Sequence, residues 1–198
     1  MKTVDKKQKA VKALHLLFIG ELFTMLGLLS ALEFIYDPLA IISLLSLVGI
    51  IIVLVGIIKL ARINKFFFMS FICICFAIFV GIIESILRVI GVSNNSLEVY
   101  ESITEVISKL VSIVFTFGII RGCSKASTGK SNSRSAKVMS IVNFAGKFVS
   151  ITFIILESIY RGENEVAADI FASISLLAAL GAEVFFIVYL YRAYSKAK

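Results

Sequence analysis

Apolar residues run along this chain in six long blocks separated by short polar segments, covering roughly 13–35, 39–61, 66–91, 97–120, 138–160 and 166–191. About 20 helical residues cross a hydrocarbon layer of ~30 Å, so each block is long enough to span a membrane. An isolated strand would leave its amides unpaired in lipid, and the two-residue alternation of a barrel strand is missing, so the blocks predict helices. Blocks two, three and six are almost uninterrupted. Block four opens with Glu98, Glu101 and Glu105 and carries Lys109, which leaves an amphipathic helix on the membrane surface as its alternative reading. Lysines precede block one, but its apolar part is too long for a signal peptide and lacks a small-residue cleavage site, so a retained span is expected.

The blocks also repeat. Leu32-Glu33-Phe34-Ile35-Tyr36 is echoed by Leu156-Glu157-Ser158-Ile159-Tyr160 and, in shorter form, by Ile83-Glu84-Ser85-Ile86. Gly56-Ile57-Ile58-Lys59 matches Gly118-Ile119-Ile120-Arg121, and the run from Arg121 to Ala126 resembles that from Arg192 to Ala197. A repeat of this length fixes architecture before any single residue is interpreted. It divides the chain into hairpin one (13–61), hairpin two (66–120) and hairpin three (138–191), with 122–137 as a flexible, Ser- and Gly-rich connection. Every hairpin starts on the same side, which makes these parallel repeats about an axis along the membrane normal. The expected fold is an all-α integral membrane protein: one domain over 1–198, six transmembrane helices as three hairpins in a compact bundle.

Composition agrees with that class. Hydrophobic residues make up 59% of the chain and charged residues 17%, with a mean hydropathy of +1.00, too little polar surface for a soluble globule of this size. The charges that remain are sorted. All Lys and Arg except Arg88, Lys109, Lys147 and Arg161 fall in the N-terminal segment, the second and fourth connections or the C-terminal segment. The remaining connections hold mainly Asp37, Glu98, Glu101, Glu163, Glu165 and Asp169. The positive-inside rule then predicts both termini in the cytoplasm, as in a bacterial plasma membrane, and the net charge of +7 becomes a collar facing anionic lipid. Basic residues split among four short segments do not make a nucleic-acid surface, so the expected partner is the bilayer, with a second membrane protein or another copy of the chain as further possibilities.

Several patterns carry less than they suggest. Ser127-Thr128-Gly129-Lys130-Ser131 ends like a phosphate-binding loop, but the first glycine of that motif is missing and a membrane helix precedes it. Asn94-Asn95-Ser96 matches a glycosylation acceptor by composition alone. Cys73 and Cys75 are two apart on a helix and face different ways, Cys123 is distant, and the only histidine, His15, reads as a packing or interfacial residue. No metal site, cofactor or enzymatic motif is expected: there is no zinc-binding histidine pair, phosphotransfer motif or serine-histidine arrangement.

The informative residues are ionisable groups inside the spans, because a charge at mid-bilayer costs at least ~2.5–3.5 kcal/mol and therefore turns inward and finds partners. Counting ~1.5 Å per residue from Lys12, Lys137 and Arg192 puts Glu21, Lys147 and Glu183 at a common depth of about 14 Å, near mid-membrane. If blocks one, five and six pack together, Lys147 can sit between two carboxylates. Such a trio is either a buried ion pair fixing helix register or a substrate-binding site for a proton, a cation or a small polar solute. Around Glu183, Ser175, Ala178, Ala179 and Ala182 make a small-residue face suited to close helix approach. By the same count Glu33, Glu84 and Glu157 lie at the outer headgroup level, where they either form an acidic ring at a pore mouth or mark helix ends meeting water. The function expected is transport or channel activity using Glu21, Lys147 and Glu183; the alternative is a non-catalytic accessory subunit or scaffold for another membrane protein.

Overall fold

A computed structural model describes the backbone of residues 2–30, 39–90, 94–126 and 130–197, with some side chains inside those ranges left undescribed. The described residues form six helices and no strand: α1 (Lys2–Ser30), α2 (Leu39–Ala61), α3 (Lys65–Ile90), α4 (Asn94–Ala126), α5 (Lys130–Tyr160) and α6 (Glu165–Ala197). Four of them contain stretches long and apolar enough to cross a membrane, Lys65–Ile83, Ser102–Lys125, Arg134–Tyr160 and Glu165–Lys196, and the described part of α2 adds a shorter apolar run, Leu47–Ala61. With large apolar side chains such as Phe79, Ile141, Phe148 and Leu177 exposed along these helices, the chain is a helical membrane protein.

The helices start and stop where local chemistry dictates. Asn64 caps α3: its side-chain oxygen accepts the N–H groups of Phe66 at 3.0 Å and Phe67 at 3.2 Å, two of the donors an α-helix leaves free at its start. Asn164 does the same for α6 through the Ala167 N–H. The end of α4 and the start of α5 reach further than the serines and glycines of 122–137 suggest. Helix α4 continues through Gly122 to Ala126, and α5 is already helical from Lys130. Packing explains the extension, since Cys123 and Ala136 are buried in the common core and Gly122 lies against the Phe67 ring.

Helices adjacent in the chain pack side by side, and α1 meets α6, so the six close into a ring in chain order. Neighbours run antiparallel, as seen for α1 and α2 in Gly20 with Val53 and Thr24 with Gly49, for α3 and α4 in Asn64 with Gly122 and Ser70 with Phe115, and for α4 and α5 in Thr116 with Asn143 and Ser112 with Lys147. Seams close where small residues let backbones approach. A Cβ on Gly20 would stand 2.6 Å from Val53 Cγ2, and one on Gly49 would stand 2.7 Å from the Thr24 backbone nitrogen, so α1 and α2 fit only with both glycines. Between α5 and α6, Gly146 faces Ala178 and Ala182, and Ser175, Ala179 and Ala182 are buried as the small-residue spacing predicts.

The hydrophobic core is not centred. It gathers Leu14, Leu17, Ile57, Phe67, Ile120, Phe186 and Leu190, drawing on α1, α2, α3, α4 and α6 and joined by Ala136 of α5. These residues lie toward the end of the bundle that carries Lys12, Arg62, Lys65, Arg121 and Arg192. His15 stacks on Tyr194 there at 4.7 Å, in the packing role read from its position, and Tyr189 of α6 reaches across the ring to donate to the Ile120 carbonyl of α4 at 3.1 Å. Toward the other end Ser150 of α5 still meets Ser175 of α6, whereas a cavity opens beside α2 and α3.

Candidate functional site

Helix α5 supplies the spine of the site. Asn143, Lys147 and Ser150 are spaced four and three apart on one face, and all three are buried. In lipid such groups need partners from neighbouring helices, and each has them. Asn143 accepts the Thr116 hydroxyl at 2.7 Å and donates to the Ala182 carbonyl at 3.2 Å, tying α4, α5 and α6 together. Ser150 and the Ser175 hydroxyl lie 2.9 Å apart, and Ser175 also donates to the Ser150 carbonyl at 3.1 Å. Among the described residues no buried side-chain polar atom lacks a hydrogen-bond partner.

Lys147 sits at the middle of this stripe, 2% exposed, with its ammonium 2.8 Å from Glu183 Oε1 and donating to the Ser112 hydroxyl. Glu183 is 17% exposed, so this is an ion pair withdrawn from lipid and tied into α4. Breaking such a pair by removing one partner costs about 3–5 kcal/mol, whereas the intact pair contributes little net stability. Glu21 of α1 lies within electrostatic reach of both Lys147 and Glu183, so the structure brings Glu21, Lys147 and Glu183 into one neighbourhood. They are not equivalent. Glu183 holds the ammonium directly, while the hydrogen bond to the Glu21 carboxylate comes from the Thr24 hydroxyl one turn along its own helix, at 3.3 Å.

Glu21 also faces open space. With Thr24, Ser108 and Ser112 it forms the polar part of the wall of a cavity of about 910 Å³ between α1, α2, α3 and α4. The rest of the wall is apolar, from Leu47, Ile50 and Ile51 of α2 to Ile78, Ile82 and Ile86 of α3. Several of these side chains are more than half exposed, so the cavity is a cleft open between α2 and α3 on the lipid side. On the α3 wall Cys73, Ala77 and Gly81 recur every four residues, and among the described residues a Cβ on Gly81 would meet no atom of a neighbouring helix within 4 Å.

From Ser112 the polar face of α4 continues through Lys109 and Glu105. Lys109 interacts electrostatically with Lys147 and Glu183, and Glu105 with Lys109, Glu157 and Arg161, so ionisable groups lead from mid-bundle to the acidic end. Within α4 the pair Glu105 and Lys109 is the one its four-residue spacing suggests. Because α4 packs on both α3 and α5 and buries Thr116, Ile119 and Ile120, it belongs to the bundle rather than lying flat against its surface.

Of the outer carboxylates, Glu157 is bound by Arg161 one turn on, at the last turn of α5, where the Arg161 N–H also closes on the Glu157 carbonyl at 2.9 Å. Glu33 lies outside the described residues, and so does the Glu84 side chain, although its backbone belongs to α3. Ser112, Thr116, Asn143 and the glycines at 20 and 49 stand outside the charge and repeat patterns of the sequence. The signal was present as four-residue spacing: Ser112 with Thr116, Asn143 with Lys147, and Gly49 with Val53.

Comparison with protein-family models, curated proteins and solved structures returns no match, so the site has to be read from its own chemistry.

Proposed function

We propose that this chain is a transporter or channel-like protein of the bacterial plasma membrane that passes an ion or small solute bearing positive charge, without enzymatic activity. One observation carries the reading: a carboxylate, Glu21, lines a large cavity while the neighbouring Glu183 is taken up by Lys147. Among the interacting groups described there are four carboxylates, Glu21, Glu183, Glu105 and Glu157, against three cations, Lys147, Lys109 and Arg161, a formal excess of one negative charge. An uncompensated carboxylate withdrawn from water acquires a proton or a cation, and exchange of one for the other is the elementary step of coupled transport.

Both termini are cytoplasmic in this reading, and the three hairpins are parallel repeats around the ring. Support comes from the sorting of Lys and Arg along the sequence and from the chain-order closure of α1 on α6. Cysteine labelling tests the orientation: Asn95→Cys and Ser131→Cys are modified by a membrane-impermeant reagent from opposite sides, and labelling from one side overturns it. The scaffold reading draws less support because two small-residue faces, Gly20 and Gly49 between α1 and α2 and Gly146, Ala179 and Ala182 between α5 and α6, are occupied within the bundle, which leaves only the α3 stripe of Cys73, Ala77 and Gly81 open among the described residues.

Transport is tested in proteoliposomes by following proton and alkali-cation flux with entrapped indicator dyes. Glu21→Gln abolishes the flux while the protein retains its detergent stability; flux equal to that of empty vesicles, or undiminished in Glu21→Gln, overturns the reading.

A further inference from the structure

We infer that the cleft between α2 and α3 is a lateral binding site for a lipophilic cation, whose apolar body lies on the Ile-rich walls and whose positive group meets the Glu21 carboxylate. The inference rests on the transport reading and narrows its substrate class. Charge selects the occupant. A lipid tail would satisfy the walls but leave Glu21 with only the Thr24 hydroxyl, and a small hydrated ion would satisfy Glu21 but leave the apolar wall in contact with water. A cationic amphiphile satisfies both. The volume of about 910 Å³ falls within the ~300–1,000 Å³ typical of sites for drug-sized ligands.

The position of the cleft sets the route. Leu47, Ile51, Ile82 and Ile86 on its flanks are exposed on the lipid side, so a molecule dissolved in the bilayer reaches Glu21 without crossing the packed core at the basic end. Small residues on the α3 wall make the room. At Gly81 no described atom outside its own stretch of helix lies within 4 Å of a Cβ position, which leaves room beside the path to Glu21. The other charged groups near Glu21 are Lys147 of α5 and Glu183 of α6, which are already joined, so the arriving cation competes with no built-in partner at ion-pair distance among the described residues.

The test uses two probes of the same shape and opposite charge, tetraphenylphosphonium and tetraphenylborate, titrated into the full chain in lipid nanodiscs. Tetraphenylphosphonium binds saturably, tetraphenylborate does not, and Glu21→Gln weakens phosphonium binding at least about tenfold, the scale expected for loss of one well-placed charge pair. Gly81→Leu provides a second line that leaves every charge in place. It adds bulk where nothing stands and replaces glycine with a better helix former, so the variant folds and phosphonium binding falls. Equal binding of the two probes shows a lipid-tail groove, and disulfide-linked dimers of Ala77→Cys that exclude the phosphonium show a second copy in the cleft; either overturns the inference. Phosphonium binding unchanged in both Glu21→Gln and Gly81→Leu overturns it too. If proton or alkali-cation flux depends on Glu21 but the phosphonium does not bind, this inference falls and the transport reading stands. If the phosphonium binds through Glu21 and no flux is seen, the reverse holds.

Discussion

The seam between α5 and α6 and the seam between α2 and α3 are built from similar apolar helices, yet one is closed along its length and the other opens into a cleft. At α5 and α6, small residues face small residues, Gly146 against Ala178 and Ala182, and the paired hydroxyls of Ser150 and Ser175 add hydrogen bonds. Helix α2 spends its small face elsewhere. Gly49 and Gly56 pack on α1, so α2 presents Leu47, Ile50 and Ile51 toward the space beside α3, where Cys73, Ala77 and Gly81 find nothing small opposite them. In lipid there is no hydrophobic drive to close such a gap, because acyl chains are as apolar as the side chains that would otherwise meet across it. A seam therefore closes only where shape or polar groups give it a reason.

That contrast can be broken most sharply at the ion pair. Lys147→Met leaves Glu183 withdrawn from water without its cation and lowers stability by about 3–5 kcal/mol, read as a large drop in the detergent unfolding temperature. Lys147→Met combined with Glu183→Leu recovers most of the loss, because the charge and its partner leave together. The close approach of α1 and α2 is the next test. Gly49→Leu drives a side chain into Thr24 and Phe23 and costs at least about 1–3 kcal/mol by the same measurement, while Gly81→Leu on the open seam leaves the unfolding temperature unchanged or raises it. The smallest effect is at the paired hydroxyls: Ser175→Ala lowers stability by about 0.6 kcal/mol, at most ~2, since hydrogen bonds between membrane helices are individually weak. If Gly81→Leu proved as damaging as Gly49→Leu, the two seams would be packed alike and the distinction would collapse.

Much of the fold was legible in the residues. The six apolar blocks correspond to the six helices, because length and continuous hydropathy report a helix in lipid directly. Serine and glycine over 122–137 suggest a flexible tether in water, yet at its described ends Gly122 lies flat against the Phe67 ring and Cys123 and Ala136 fill the core, while 127–129 lie outside the described residues. Depth counting selected Glu21, Lys147 and Glu183, since rise per residue is nearly constant. It could not tell which carboxylate takes the lysine. That depends on how each helix is rotated about its axis, and the rotation of α6 is set by contacts such as that from Asn143 to the Ala182 carbonyl, which a count along the chain does not contain. Glu183 has the more persuasive sequence context, with small residues around it, yet it is Glu21 that is left facing the cavity.

Asn64 deserves a mechanical reading. Its carbonyl oxygen caps α3 and its amide nitrogen donates to the Gly122 carbonyl of α4 at 3.3 Å, which pins the first turn of α3 to its neighbour like a hinge pin. Ile86 lies 22 residues further along, a lever arm of ~33 Å at 1.5 Å per residue. A tilt of ~5° about that pin therefore swings the far end of α3 by ~3 Å, close to the thickness of an aromatic ring, while the packed end hardly moves. Width at the mouth of the cleft is thus geared to angle at its root, a distance at one end set by a direction at the other.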